Sequence, residues 1–312
     1  MADNTRLNEG VGGDIIATDD IGGIKHQWVK LEYGADGSAT PVSDSNALPV
    51  NSFDEEFTAA YTGLVRGKTA KNVYLLGRRT TFNATTPFQD VTTYLVGGQN
   101  TLNAVAVGTT YFVVSTSVQD LVGGTGISKV RIVYLDASGN QQVVSATLTG
   151  TTKVSIGSGF TAFQWMESSE LGGASSATAV GNIAIFSGAG AAAAENTTVE
   201  QILAGGNRSL SGRYTIPTGY IGYLRTLYVS AAGSQAMDVR VRADCFADDR
   251  TISAGIFHFQ DTAFLASGDS ITKDLSHQKI PAGSMVKISV FPAATTGTPR
   301  CDVNLGLIII AI

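Results

Sequence analysis

Apolar and polar residues alternate along most of this chain in short runs with a period of two, the pattern that predicts β-strands. The clearest runs are VYLLG (73–77), TYFVVSTS (110–117), VGNIAIFSG (180–188), YLRTLYVSA (223–231) and MDVRVRADCFA (237–247). Each is short and rich in β-branched or aromatic residues, and Gly, Ser, Asn or Asp bound it. In the last run Met237, Val239, Val241, Ala243 and Cys245 fall on one face, and Asp238, Arg240, Arg242 and Asp244 on the other. That predicts a half-buried antiparallel strand with paired charges on its solvated side.

The stretch KVRIVYLDASGNQQVVSATL (129–148) reads as a hairpin, with Asp136-Ala-Ser-Gly139-Asn140 as its turn. Ile216-Pro217-Thr218-Gly219 and Ile280-Pro281-Ala282-Gly283 repeat one turn signal, here expected as type I turns entering strands. Helix signals are scarce. TTVEQILA (197–204), closed by Gly205-Gly206, is the best helix candidate, with a strand as the alternative. The fold class expected is all-β: an N-terminal extended attachment arm, then two antiparallel β-sandwich or jelly-roll-like domains. Turn-rich residues 34–52 and the low-complexity stretch 187–198 suggest the divisions 1–52, 53–190 and 191–312.

Composition narrows the function. Charged residues are 15% of the 312, against roughly 25% in an average soluble protein. Gly, Ala, Ser and Thr take their place, giving weakly charged surfaces suited to a subunit covered by neighbours. A net charge of −5 argues against nucleic acid as a partner, because phosphate contacts need clustered Lys and Arg. Three His and two Cys make a protein-built zinc site improbable, and no metal or other cofactor is expected. Cys245 and Cys301 are expected as buried thiols rather than a disulfide. MADNTRLNEG is polar, unlike a secretory leader, and LGLIIIAI is far shorter than the roughly 20 residues that span a membrane; no membrane partner is expected.

Catalytic vocabulary is thin. Asp19-Asp20 before Gly22-Gly23 offers oxygen ligands for Ca²⁺ but lacks the calcium-loop pattern, and reads as an exposed turn before a strand. The glycines at 123–126 and 157–159 lack the helix and Lys-Ser/Thr of a phosphate loop and read as turn glycines. A glycan-cleaving enzyme needs paired carboxylates at a cleft, and FDEEF (53–57) is the single acidic cluster. Trp165 sits in strand context and is expected in the core. In 24–33, Ile24, His26 and Trp28 share one strand face, while Val29, Leu31 and Tyr33 share the other. A strand apolar on both faces and set apart by a long linker should find partner strands elsewhere, so these six residues are the expected attachment site.

Three stretches together resemble virion structural proteins of tailed bacteriophages. They are IATDDIGGIKHQWVKLEYGADGS…ALPV (16–50); VYLLGRRTTFN (73–83) with VRIVYLDASGNQQVVSATLTGTTKV (130–154) and GNIAIFSG (181–188); and RYTIPTGYIGYLRTLYVSA (213–231) with DVRVRAD, KIPAGSMVKISV and VNLGLIIIAI. The chain departs from the family at Pro87-Phe88-Gln89-Asp90 and at Cys245-Phe246. The resemblance implies a non-enzymatic component, assembled in the host bacterial cytoplasm, that decorates the capsid or forms a head fibre. Its implied partners are the major capsid protein or other virion subunits and further copies of itself, with a trimer favoured. The alternatives are a tail, baseplate or fibre component, or an adhesin for a host-surface glycan.

Overall fold

The computed structural model describes residues 70–83, 88–94, 101–173, 175–194, 197–244, 256–275, 278–295 and 299–312, and, before residue 70, the backbone of short strands alone. The chain divides into two compact units, Met1–Glu55 and Glu56–Ile312. In the first, β1 (Thr5–Arg6) pairs with β2 (Ile15–Ile16), β3 (Thr18–Ile21) with β4 (Ile24–Gln27), and β5 (Glu32–Tyr33) with β6 (Thr40–Pro41), all antiparallel. Asp19 and Asp20, expected in a turn, lie on β3 opposite His26 and Lys25.

The second unit is all-β, with no helix among the described residues. In chain order its strands are β7 (Ala70–Arg79), β8 (Gln89–Asp90), β9 (Tyr111–Ser115), β10 (Ile127–Leu135), β11 (Gln141–Thr147), β12 (Val154–Gly157), β13 (Ala162–Leu171), β14 (Ile183–Ser187) and β15 (Thr198–Ile202). There follow β16 (Arg213–Thr215), β17 (Tyr220–Ala232), β18 (Met237–Ala243), β19 (His258–Leu265), β20 (Ser270–Asp274), β21 (Lys279–Ile280), β22 (Met285–Pro292) and β23 (Arg300–Ala311).

A smaller sandwich comprises the sheets β11-β10-β13 and β12-β9-β14-β15. Val130, Ile132 and Met166 from one sheet and Val113, Ile183, Ile185 and Ile202 from the other meet in one core. The hairpin forms as the alternation dictates, with Leu135 opposite Gln141 and Val133 opposite Val143. Of the two readings of 197–204, helix or strand, the strand forms: β15 is paired with β14 and buried at Thr198, Val199, Glu200 and Ile202. Its short apolar run gains a sheet partner and a core, which outweigh a weak helical period. Residues 187–198 therefore join two strands of one sheet.

The larger sandwich pairs the sheet β20-β17-β23-β7, extended by β21, with the sheet β16-β22-β18-β19, extended by β8. Leu227, Val229, Val303 and Leu305 pack against Val239, Val241, Ile288 and Val290. β18 alternates buried and half-buried as predicted. β7, which the linker-based division puts in the first body, runs antiparallel to β23 from Ala70 opposite Ile310 to Arg79 opposite Cys301. The larger sandwich is thus discontinuous in sequence, and the smaller one enters between β8 and β16. The LGLIIIAI run is the end of β23, buried on both faces: Leu305, Leu307 and Ile309 face the main core, while Ile308 and Ile310 join Tyr223 in a second cluster. Cys301 is a buried free thiol whose pKa burial pushes up to about 12; Cys245 lies outside the described residues.

Candidate functional site: a buried charge cluster where the sandwiches meet

Two turn motifs that the sequence presents separately bond to each other. In the β10–β11 turn, Asp136 accepts from the backbone N–H groups of Ser138 and Asn140, at 2.9 and 3.0 Å. These bonds, Asn140's first, hold its carboxyl below the usual carboxylate range. Gly139 adopts φ +76°, and a Cβ there would lie 2.4 Å from the Thr218 hydroxyl oxygen. Thr218 donates from that hydroxyl to the Ser138 carbonyl at 2.8 Å and from its N–H to the Gly139 carbonyl at 2.9 Å. The hairpin tip of the smaller sandwich is thereby fastened to the Pro217–Tyr220 turn of the larger. That turn and its echo are not type I. Tyr220 N–H returns to Pro217 and Ser284 N–H to Pro281, which puts Gly219 and Gly283 third in their turns, each at φ +79° as a type II turn requires.

Further along the junction Gln164 bonds Thr215 in both directions, at 2.6 and 2.9 Å, and the Tyr214 hydroxyl donates to Gln141 at 3.0 Å. Trp165 is half-buried here, stacked on Tyr214 with the Arg208 guanidinium over its ring.

Behind this seam lies a cluster of buried charges. Asp90, fully buried on β8, accepts from Arg242 Nη2 at 2.8 Å and Ser289 Oγ at 2.7 Å on one oxygen. Its other oxygen accepts from Lys287 Nζ at 2.9 Å and Leu102 N–H at 3.0 Å. Arg79, also buried, donates to the Asp90 carbonyl at 2.8 Å and to Gln89 Oε1 at 3.0 Å. Burial lowers the Arg79 pKa to about 10 and pushes the Lys287 ammonium below its ordinary value, and Asp90 opposes both shifts. From the smaller sandwich β15 contributes Glu200, which accepts from Arg213 Nη2 at 3.2 Å and from the Ser211 hydroxyl. Burial pushes the Glu200 carboxyl up, against the pull of Arg213 and Ser211. Phe88, whose φ of 53° is the one positive value outside glycine among the described residues, turns the chain into β8. Its ring lies 3.4 Å from the Arg240 guanidinium, which also covers Phe259.

This arrangement ties β8, β15, β16, β18 and β22 together. Asp90 is shared by Arg242 and Lys287, Glu200 is paired with Arg213, and bonds to backbone complete the set, as buried ions require. Sequence reasoning places Arg242 on a solvated face and assigns Asp90, Glu200, Arg213 and Lys287 no role. Their partners lie far apart in sequence, 197 positions for Asp90 and Lys287 and 199 for Asp90 and Ser289, so no spacing signals them. A second carboxylate, Asp120, explains the glycine cluster at 123–126. It accepts from the N–H groups of Ile127, Val180 and Gly181 at 3.1, 3.0 and 2.8 Å, and a Cβ on Gly126 would lie 1.9 Å from it. Of the expected attachment residues, Ile24 and His26 lie on β4 and Tyr33 on β5, while Trp28, Val29 and Leu31 lie outside the described residues. FDEEF lies outside them too.

The second unit is thus an all-β body of two sandwiches, one inserted in the other and joined by the buried Glu200–Arg213 pair and hydrogen bonds along the seam. No family model and no curated protein matches the chain. Solved structures with some likeness come from infectious bursal disease virus. A structure of the Gx strain has a TM-score of 0.22 at 11% identity, covering 78% of this chain and 72% of that one. The T13 viral particle has 0.16 at 10%, covering 78% and 73%, and the VP2 subviral particle 0.19 at 9%, covering 78% and 72%. TM-scores of this size establish no common fold.

Proposed function

We propose that the chain is a non-enzymatic structural subunit of a tailed-phage virion, one that decorates or stabilises the capsid or forms a head fibre, held through its N-terminal segment. The observation that carries this reading is the division of the chain at Glu55, which leaves the whole expected attachment segment in a unit of its own. There β4 pairs along one edge with β3. Its other edge has no strand partner among the described residues, and in this reading that edge takes a strand from the shell. The larger unit supports the same reading. The buried Glu200–Arg213 pair and the turn-to-turn hydrogen bonds tie its two sandwiches together, a stiff body suited to repeated weak contacts in an oligomer, a trimer in this reading. The partners are the major capsid protein or neighbouring virion subunits, and the site of action is the virion.

The test is binding of purified protein to shells lacking it, comparing the full chain with one starting at Asn51. Stoichiometric binding by the full chain alone supports attachment through the first unit. Binding by neither, with the full chain associating with tails or host cells, refutes capsid decoration. A second reading, binding of a host-surface glycan, is favoured by the rings of Phe259 and Phe264, 57% and 71% exposed on the edge strand β19.

A further inference from the structure

A cavity of about 520 Å³ lies between the two sandwiches, within the range of small-molecule sites. The hairpin end of the smaller sandwich forms one wall, and β16, β22 and their flanking loops the other. Its lining is divided. Phe163, Phe257 and Met285 are among its apolar groups, while Arg213 and Lys287 bring cations from the buried cluster.

Asp90 is shared between Lys287 and Arg242, and Glu200 serves Arg213. Asp244 lines the same cavity. Arg213 is 3% exposed, and its Nε is buried with no hydrogen-bond partner among the described residues. A buried donor left unpaired costs about 1–3 kcal/mol, more when charged, so an acceptor arriving there is favoured. Lys287 Nζ lies 4.0 Å from the centre of the Phe257 ring, so cation and apolar wall are contiguous.

We propose that this cavity binds a small organic anion, with a carboxylate or phosphate monoester head at Arg213 and Lys287 and an apolar body against Phe163, Phe257 and Met285. The shape of the lining selects both parts: inorganic phosphate satisfies the cations and leaves the apolar wall bare, and a neutral aromatic does the reverse.

Calorimetric titration of the full chain with phenyl phosphate, benzoate, inorganic phosphate and benzyl alcohol tests this. Saturable binding of phenyl phosphate or benzoate is expected, about ten-fold or more tighter than inorganic phosphate and benzyl alcohol. Whichever of the two anions binds more tightly identifies the head group. Ala137, exposed on the hairpin turn at the cavity wall, supplies a variant that leaves the charges in place. Ala137→Trp is expected to keep the wild-type melting temperature and abolish binding, and Lys287→Met to weaken it about ten-fold. Absence of binding by both organic anions to about 10 mM overturns the proposal, as does equal affinity for benzyl alcohol or undiminished binding by a folded Ala137→Trp.

Discussion

Replacing Asp90 with Ala removes the one carboxylate that holds Arg242 and Lys287 together. Asp90 is fully buried, and the side chains of its partners are 18% and 9% exposed, so neither cation can turn wholly into water. Four hydrogen bonds end on the lost oxygens, two of them from charged donors. Breaking a buried pair from one side costs about 3–5 kcal/mol, because the remaining charge stays desolvated. For a cooperative unit of this size each kcal/mol lowers the melting temperature by about 2–4 °C, so a fall of about 6–20 °C is expected. Calorimetry and urea denaturation measure it. Adding Lys287→Met removes one stranded cation, and the double variant should be more stable than the sum of the single losses by about 0.5–3 kcal/mol. A fall under about 2 °C, or strict additivity, refutes the claim that Asp90 anchors this cluster.

Gly139→Ala puts a methyl group at φ +76° and against Thr218; it should cost at least about 1–2 kcal/mol and speed hydrogen exchange at the Thr218 amide, and unchanged exchange would mean that the two turns do not hold the seam. Glu200 predicts a pH dependence. Its unfolded carboxyl ionises near 4.5, and burial raises it in the folded chain, so the folded state holds more protons above that pH. Stability from this group is fully present below 4.5 and is lost as pH rises through the folded pKa. The melting temperature of wild type relative to Glu200→Gln should therefore decline as pH rises from about 4 to 8, and a flat or rising difference contradicts the assignment.

What was legible in the sequence was local. Alternation in 129–148 and 237–243 marks strands because a two-residue period shows which face meets the core, and both strands stand in the structure as that pattern requires. The run 197–204 misleads because a short buried strand lacks alternation: Thr198, Val199 and Glu200 are all buried in sequence. The polar cluster was not legible at all. Asp90, Glu200, Arg213, Arg242 and Lys287 sit on five different strands, and only tertiary pairing makes them neighbours. A lone acid after a Pro-Phe-Gln stretch carries no sign that it will be buried against a lysine 197 positions on. The turns at 216–219 and 280–283 were visible as turns, but their type depended on where the chain closed its hydrogen bonds.

The insertion of one sandwich within the other sets an order of events during synthesis. The strands of the smaller sandwich have all been made once residue 202 has emerged, and they pair among themselves. The larger cannot close until β23 arrives, because β23 lies between β17 and β7 and β7 has waited some two hundred residues for it. Every chain that stops short of β23 keeps one folded body and one open sheet, with the apolar faces of β7 and β17 unprotected. Such a chain is expected to be held by chaperones or cut by proteases, because the larger sandwich closes only when β23 is in place.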